Sequence, residues 1–167
     1  LRADARFAQL LHAAELAITP CKVLPERKQF DFWVGEWDVL TPQGQTAGSS
    51  SVQKLVDGCA ILENWTGARG GSGKSLNFYD PAKGKWRQVW VGSDGTAIDF
   101  EGELKDGAMH YQSESVGSDG KKTLGRMTFF HQGEDRVRQL WEQSTDAGKT
   151  WTVAFDGQYI RKGSKPS

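Results

Sequence analysis

The chain has 167 residues, with basic and acidic side chains balanced to a formal net charge of zero. That length suits one domain, since two cores would each fall near the lower size limit. The charge balance argues against nucleic-acid and anionic-membrane partners, which need a positive field, and no stretch approaches the ~20 apolar residues of a spanning helix.

Residues 3–17 read as a helix, with Phe7, Leu10, Leu11 and Ala14 recurring at i, i+3, i+4 and i+7 as one apolar stripe. Thr19-Pro20 ends it, and Pro25-Glu26-Arg27 looks like a second helical start. That turn would deliver Phe30, Phe32 and Trp33 toward whatever follows. From Glu36 the pattern changes to short segments at 36–41, 46–56, 59–66, 74–80, 85–92, 96–104, 108–115, 123–131, 136–144 and 150–161. The breaks between them hold turn chemistry such as Asp57-Gly58, Asp80-Pro81, Asp106-Gly107 and Asp119-Gly120. About ten strands at hairpin spacing, with no helix between them, predict an all-β antiparallel meander closed into a barrel, behind an N-terminal helix. Closure also removes the edges that a flat sheet would expose.

Period-2 alternation sorts the faces. Ile98, Phe100 and Leu104 share one face, as do Trp151, Val153, Phe155 and Tyr159, and both sets are expected to point inward. The same logic places Trp37 and Val39, Trp86 and Trp90, Met109 and Tyr111, Met127 and Phe129, and Trp141 inside. Polar residues share these inward faces: Gln88 between Trp86 and Trp90, Gln139 beside Trp141, Glu63 with Trp65, and Asn77 with Tyr79. Buried amides and carboxylates are costly without partners, so they either satisfy one another in a filled barrel or face a ligand. The ligand-binding candidates are therefore Trp65, Asn77, Tyr79, Gln88, Trp90, Tyr111, Gln139 and Trp141, with Glu63 the one candidate catalytic acid. Two tetrads, Arg87-Gln88-Val89-Trp90 and Arg138-Gln139-Leu140-Trp141, precede Phe100-Glu101-Gly102 and Phe155-Asp156-Gly157, which reads either as a weak hairpin repeat or as coincidence.

Cys21 and Cys59 lack the spacing of a redox or zinc motif, which leaves two buried thiols or one disulfide between the N-terminal arm and the barrel. A disulfide would imply an oxidising compartment. Two other motifs are decoys. Ala68-Arg69-Gly70-Gly71-Ser72-Gly73-Lys74-Ser75 fits a permissive phosphate-loop pattern, but that chemistry needs a helix directly after it, and here an aromatic stretch ending in Pro81 follows. It reads as a hairpin connection at the barrel mouth. Ser144-Thr145-Asp146-Ala147-Gly148-Lys149-Thr150-Trp151 resembles the Asp-box of sialidase propellers, but one copy cannot build a propeller, and the box itself is a turn. His12, His110 and His131 have no ligand spacing, so no metal or cofactor is expected. Ser49-Ser50-Ser51 lacks a nucleophile elbow.

Gly35-Glu36-Trp37, after a short helical turn and opening the first strand, resembles the G-x-W signature of the calycin (lipocalin-like) superfamily. That resemblance implies that Trp37 closes one end of the barrel against a basic residue of the last strand, and Arg161 is at the matching place. The longer string Phe30-Asp31-Phe32-Trp33-Val34-Gly35-Glu36-Trp37-Asp38-Val39 resembles a family of uncharacterised bacterial proteins, often with leader peptides. The likeness extends to Gly58-Cys59, Glu63-Asn64-Trp65-Thr66-Gly67, Ser75-Leu76-Asn77-Phe78-Tyr79-Asp80-Pro81 and Arg138-Gln139-Leu140-Trp141-Glu142. It implies a fold and a periplasmic or secreted location, and Leu1 in place of Met fits a removed signal peptide, but it carries no activity across. The haem-binding nitrobindins have a similar barrel, yet no His here matches their proximal ligand. The organisation expected is an arm at 1–29, a barrel at 30–163 and a tail at 164–167. The function expected is binding of a small apolar or aromatic molecule in a Trp-lined cavity. The alternatives are an isomerase, cyclase or lyase using Glu63, or a structural protein with a filled barrel.

Overall fold

A computed structural model describes residues 5–117 and 119–164. Helix α1 spans Ala5–Ile18 and stops before the Thr19-Pro20 step, where a short second helix, α2 (Pro20–Val23), begins. Leu10 of the apolar stripe is 70 % exposed, and Phe7 and Leu11 are also open to solvent, so the stripe is not buried. Single 3-10 turns at Pro25–Lys28 and Asp31–Trp33 then carry the chain into the first strand. Pro25 opens a turn of this tighter kind rather than an α-helix.

Ten strands follow: β1 Gly35–Leu40, β2 Thr46–Leu55, β3 Ala60–Gly67, β4 Ser72–Asp80, β5 Lys85–Gly92, β6 Ala97–Lys105, β7 Ala108–Val116, β8 Lys122–His131, β9 Arg136–Ser144 and β10 Thr152–Arg161. Each pairs antiparallel with the next, and β1 pairs with β10 to close the barrel. The sequence segments match these strands to within about two residues at either end. Strand β4 already begins at Ser72, so extended chain, not a helix, follows Gly70-Gly71, and the phosphate-loop pattern has no helix N-terminus behind it. The Asp-box segment is a turn. Asp146 accepts the Thr150 N–H at 2.9 Å and the Ser144 hydroxyl at 2.7 Å, while Trp151 Nε1 donates to the Gly148 carbonyl.

Two inward assignments need correction. A register shift between Val153 and Phe155 turns β10 over, so Phe155 and Tyr159 face inward while Val153 is exposed and Trp151 lies outside the strand beneath Arg126. A bulge adds a residue to one strand only, which breaks strict alternation. Leu104 keeps the inward side, opposite Met109, but near the end of β6 it is 37 % exposed. The two tetrads are also not one repeated hairpin: Gln88 lies opposite Phe100, whereas Gln139 lies opposite Gly157 and Phe155 faces Trp141.

One end of the barrel is filled. Phe30 and Trp33, both fully buried, stack on each other and meet Phe129, with ring centroids 4.6–5.0 Å apart. Phe30 also meets the edges of Trp86 and Tyr111. Next to this plug, Trp37 donates its indole N–H to the Trp33 carbonyl at 2.9 Å, and the Arg161 guanidinium lies 4.4 Å over the Trp37 ring. Arg161 also donates to the carbonyls of Glu134 and Val34. Cys21 and Cys59 form a disulfide that ties α2 to the start of β3. Closing a loop of 38 residues is worth about 4 kcal/mol on the chain-entropy account.

Gly35 makes the guanidinium contact possible. Its φ is +150°, and a Cβ there would lie 2.2 Å from Nη1 of Arg161. Gly35→Ala is therefore expected to lower stability by about 1–3 kcal/mol, and Arg161→Ala by a similar amount through lost charged hydrogen bonds and ring contact. In the double variant the losses should fall short of their sum, because removing Arg161 empties the space the new methyl needs. Urea unfolding of the four proteins checks this, and additive losses would contradict it.

Candidate functional site

Away from the aromatic plug, the barrel is open. A cavity of about 350 Å³ runs from mid-barrel to the loops around Gly70-Gly71 and Ser93-Asp94. Trp65 on β3, Trp90 on β5, Trp141 on β9 and Phe155 on β10 form its walls. Glu63, Gln88, Gln139 and Tyr159, each two or four residues deeper on the same strands, form its floor.

Glycine seats the aromatic walls. A Cβ on Gly73 would lie 2.2 Å from the Trp90 ring, one on Gly48 would lie 2.7 Å from Trp65, and one on Gly157 would lie 2.6 Å from Phe155. A bare backbone, on the neighbouring strand for Trp90 and Trp65 and two residues on in the same strand for Phe155, thus lets each ring lie flat along the wall instead of projecting across the lumen. Space that rings of this size would otherwise fill stays open.

The floor is a connected polar chain. Gln88 Nε2 donates to Asn77 Oδ1 at 2.7 Å, and Asn77 Nδ2 donates to Ser75 Oγ at 3.0 Å. The Ser75 hydroxyl in turn donates to Glu63 Oε2 at 2.9 Å, and that of Ser50 donates to Glu63 Oε1 at 3.0 Å. On the other side Tyr159 donates to Gln139 Oε1 at 2.6 Å, and its oxygen lies 3.5 Å from Glu63 Oε1. Gln139 Nε2 makes its contact with the Met127 sulfur. Burial pushes the Glu63 carboxyl up from 4.5 to about 7, against the opposing pull of the Ser75 and Ser50 hydroxyls. Tyr159 is pushed up as well, first by burial and then by the charge of Glu63.

The structure brings six of the sequence candidates together at this cavity: Glu63, Trp65, Gln88, Trp90, Gln139 and Trp141. Asn77 lies behind them, fully buried, and joins the floor through its hydrogen bonds with Gln88 and Ser75. Tyr79 sits toward the plugged end, edge-on to Trp86 and beneath the Arg27 guanidinium. Tyr111 belongs to the filled half against Phe30, Phe100 and Phe129, with a buried hydroxyl that has no partner among the described residues. Both Gln-x-Trp halves of the tetrads line the cavity. Their arginines point outward, Arg87 to Asp99 and Arg138 to Asp156.

Sequence reasoning missed Ser50 and Ser75, the two hydroxyls on Glu63. Ser50 alternates with Val52 and Ser75 with Asn77, so face assignment alone could have found them. It also missed the mouth residue Asp94 and gave Tyr159 only a packing role. The histidines stay away from the cavity. His131 stacks on Phe32 at 4.8 Å, His110 faces Thr128, and His12 is on the exposed helix α1. Among the described residues no group of three or more His, Cys, Asp or Glu could hold a metal ion. No known protein family model matches the chain, and no curated protein matches it either.

Glu63 should leave a signature in stability. Its folded-state value, about 7, lies above its ordinary 4.5, so the folded protein binds the proton more tightly than the unfolded chain. The stability this confers is complete below pH 4.5 and is lost as pH rises through 7, by roughly 3 kcal/mol in all. The carboxylates held low, such as Asp146 at about 2, titrate below this window. Urea midpoints should therefore fall between pH 5 and pH 8 in the native protein and stay level in Glu63→Gln. A native protein without this fall would show that Glu63 is not buried as described.

Proposed function

We propose that the protein binds a small aromatic molecule in the open half of its barrel. The observation that carries this reading is the cavity itself: about 350 Å³, walled by Trp65, Trp90 and Trp141, with four polar groups converging on its floor. Small-molecule sites take this form, mostly apolar with a few placed polar groups, at volumes of ~300–1,000 Å³. The volume is at the low end of that range and suits a molecule of one or two rings. Half of the barrel is filled, so a purely structural role would account for the plug but not for the open end.

The surrounding features support a calycin-like protein working outside the cytoplasm. Gly35, Trp37 and Arg161 meet as the G-x-W resemblance implies, and the Cys21–Cys59 disulfide suits an oxidising compartment. Acid–base catalysis is a second reading, favoured by one observation. Glu63 is held at about 7 on the cavity floor, where a carboxyl both gives and takes a proton at neutral pH. Recovery of bound ligands chemically unchanged after long incubation supports binding, while their conversion, lost in Glu63→Gln, supports catalysis.

Binding is tested with prodan, a naphthalene fluorophore of two fused rings that is uncharged at neutral pH. It should bind one per chain with a blue shift and quench the tryptophan emission. Ile98→Trp, which adds a ring to the cavity wall, should weaken that binding at least tenfold while leaving the unfolding midpoint nearly unchanged. Equal binding to both proteins would place the probe elsewhere and remove support for the cavity.

A further inference from the structure

The charge character of the cavity narrows the ligand further, on the assumption that the cavity is a binding site. Its two charged lining residues are both acidic, Glu63 at the floor and Asp94 at the mouth, and Lys, Arg and His are absent from the described lining. The amide oxygens add to this. Gln139 Oε1 is held by the Tyr159 hydroxyl on the floor, and Gln88 Oε1 accepts no hydrogen bond among the described residues. The walls are faces of Trp, the side chain whose ring attracts a cation most strongly. Acceptor-rich floor, acidic mouth and aromatic walls all favour the same sign of ligand.

We propose that the cavity takes an aromatic amine as its ammonium ion, with the nitrogen on Glu63 and the ring or rings between Trp65, Trp90 and Trp141. An anionic ligand would meet two carboxyl groups with no cation to offset them. A neutral one would leave Glu63 without the partner that its ionised form lacks in a buried site. The Ser50 and Ser75 hydroxyls hold the carboxyl in place from β2 and β4, so the ammonium completes a half-built ion site.

Proton linkage follows. The groups facing Glu63 are Ser50 from β2, Ser75 from β4, Gln139 from β9 and Tyr159 from β10, with Gln88 beside them on β5. Of these only Tyr159 titrates, and it is held neutral by its raised value. Asp94 at the mouth is held low by hydrogen bonds from Thr96 and stays ionised. Glu63 is thus the group that changes charge near neutrality, and ammonium binding should require its ionised form.

Three indoles of matched shape test this by calorimetry: tryptamine, tryptophol and indole-3-acetate. At pH 8 tryptamine should bind at least tenfold more tightly than tryptophol, with indole-3-acetate weakest. Tryptamine affinity should fall about tenfold from pH 8 to pH 6, as ionised Glu63 falls from about nine-tenths to about one-tenth, with proton release on binding. Tryptophol should show no such loss. Glu63→Gln should remove both the preference and the pH dependence while tryptophol still binds. Tryptophol or indole-3-acetate binding as tightly as tryptamine at pH 8 overturns the proposal while leaving the cavity as a binding site. If neither these indoles nor prodan binds, the cavity reading itself has failed.

Discussion

Ten strands hydrogen-bonded in a closed ring set the interior width before any side chain is chosen. A ring of about eight strands is just filled by the side chains of its own wall, and ten enclose more room than that. The chain meets this constraint differently at the two ends. At one, the segment before β1 turns inward and supplies Phe30 and Trp33 as a plug, and Trp37 with Arg161 closes over it. At the other end no segment of the described residues turns inward, and the excess width remains as a cavity. Plug and cavity are two consequences of one closure.

The boundary between the halves is where the polar residues lie. Deeper toward the plug, a carboxyl would be surrounded by rings with nothing to bond. Nearer the mouth, water would hold it at its ordinary value. At mid-barrel Glu63 has the Ser50 and Ser75 hydroxyls on one side and the cavity on the other, which keeps it bonded but poorly solvated. Burial then sets its proton affinity near neutrality, whereas half-buried Asp146, bonded to Thr150 and Ser144, is driven the other way. The same chemical group serves opposite ends because its surroundings differ.

Small residues decide how large the open half is. Trp90 and Trp65 lie against an inward-facing glycine of a neighbouring strand and Phe155 against Gly157 of its own, which keeps the rings along the wall. Glycine in a strand weakens it and marks a close approach, and here that cost is accepted at several positions around the cavity. Closure, plug, polar floor and glycine-seated walls agree in defining one concave, aromatic, acidic interior.

The sequence by itself determined the strands and most of the inward faces, because turn residues and period-2 alternation are local properties of the chain. It also determined that Glu63, Gln88 and Gln139 share faces with tryptophans. Alternation failed at β10, where the register shift before Phe155 breaks the count and carries Val153 outward. The depth of a residue in the barrel was not legible, since it depends on which strands neighbour it across the ring. Tyr111 and Trp141 both read as inward aromatics, yet one packs in the plug and the other lines the cavity. Only the tertiary structure decided that Ser50, Ser75 and Tyr159, up to 96 residues from Glu63 in sequence, surround one carboxyl. It also decided that the barrel is filled at one end and open at the other. The physical reason is that burial and cavity volume belong to the closed ring, whereas alternation belongs to each strand.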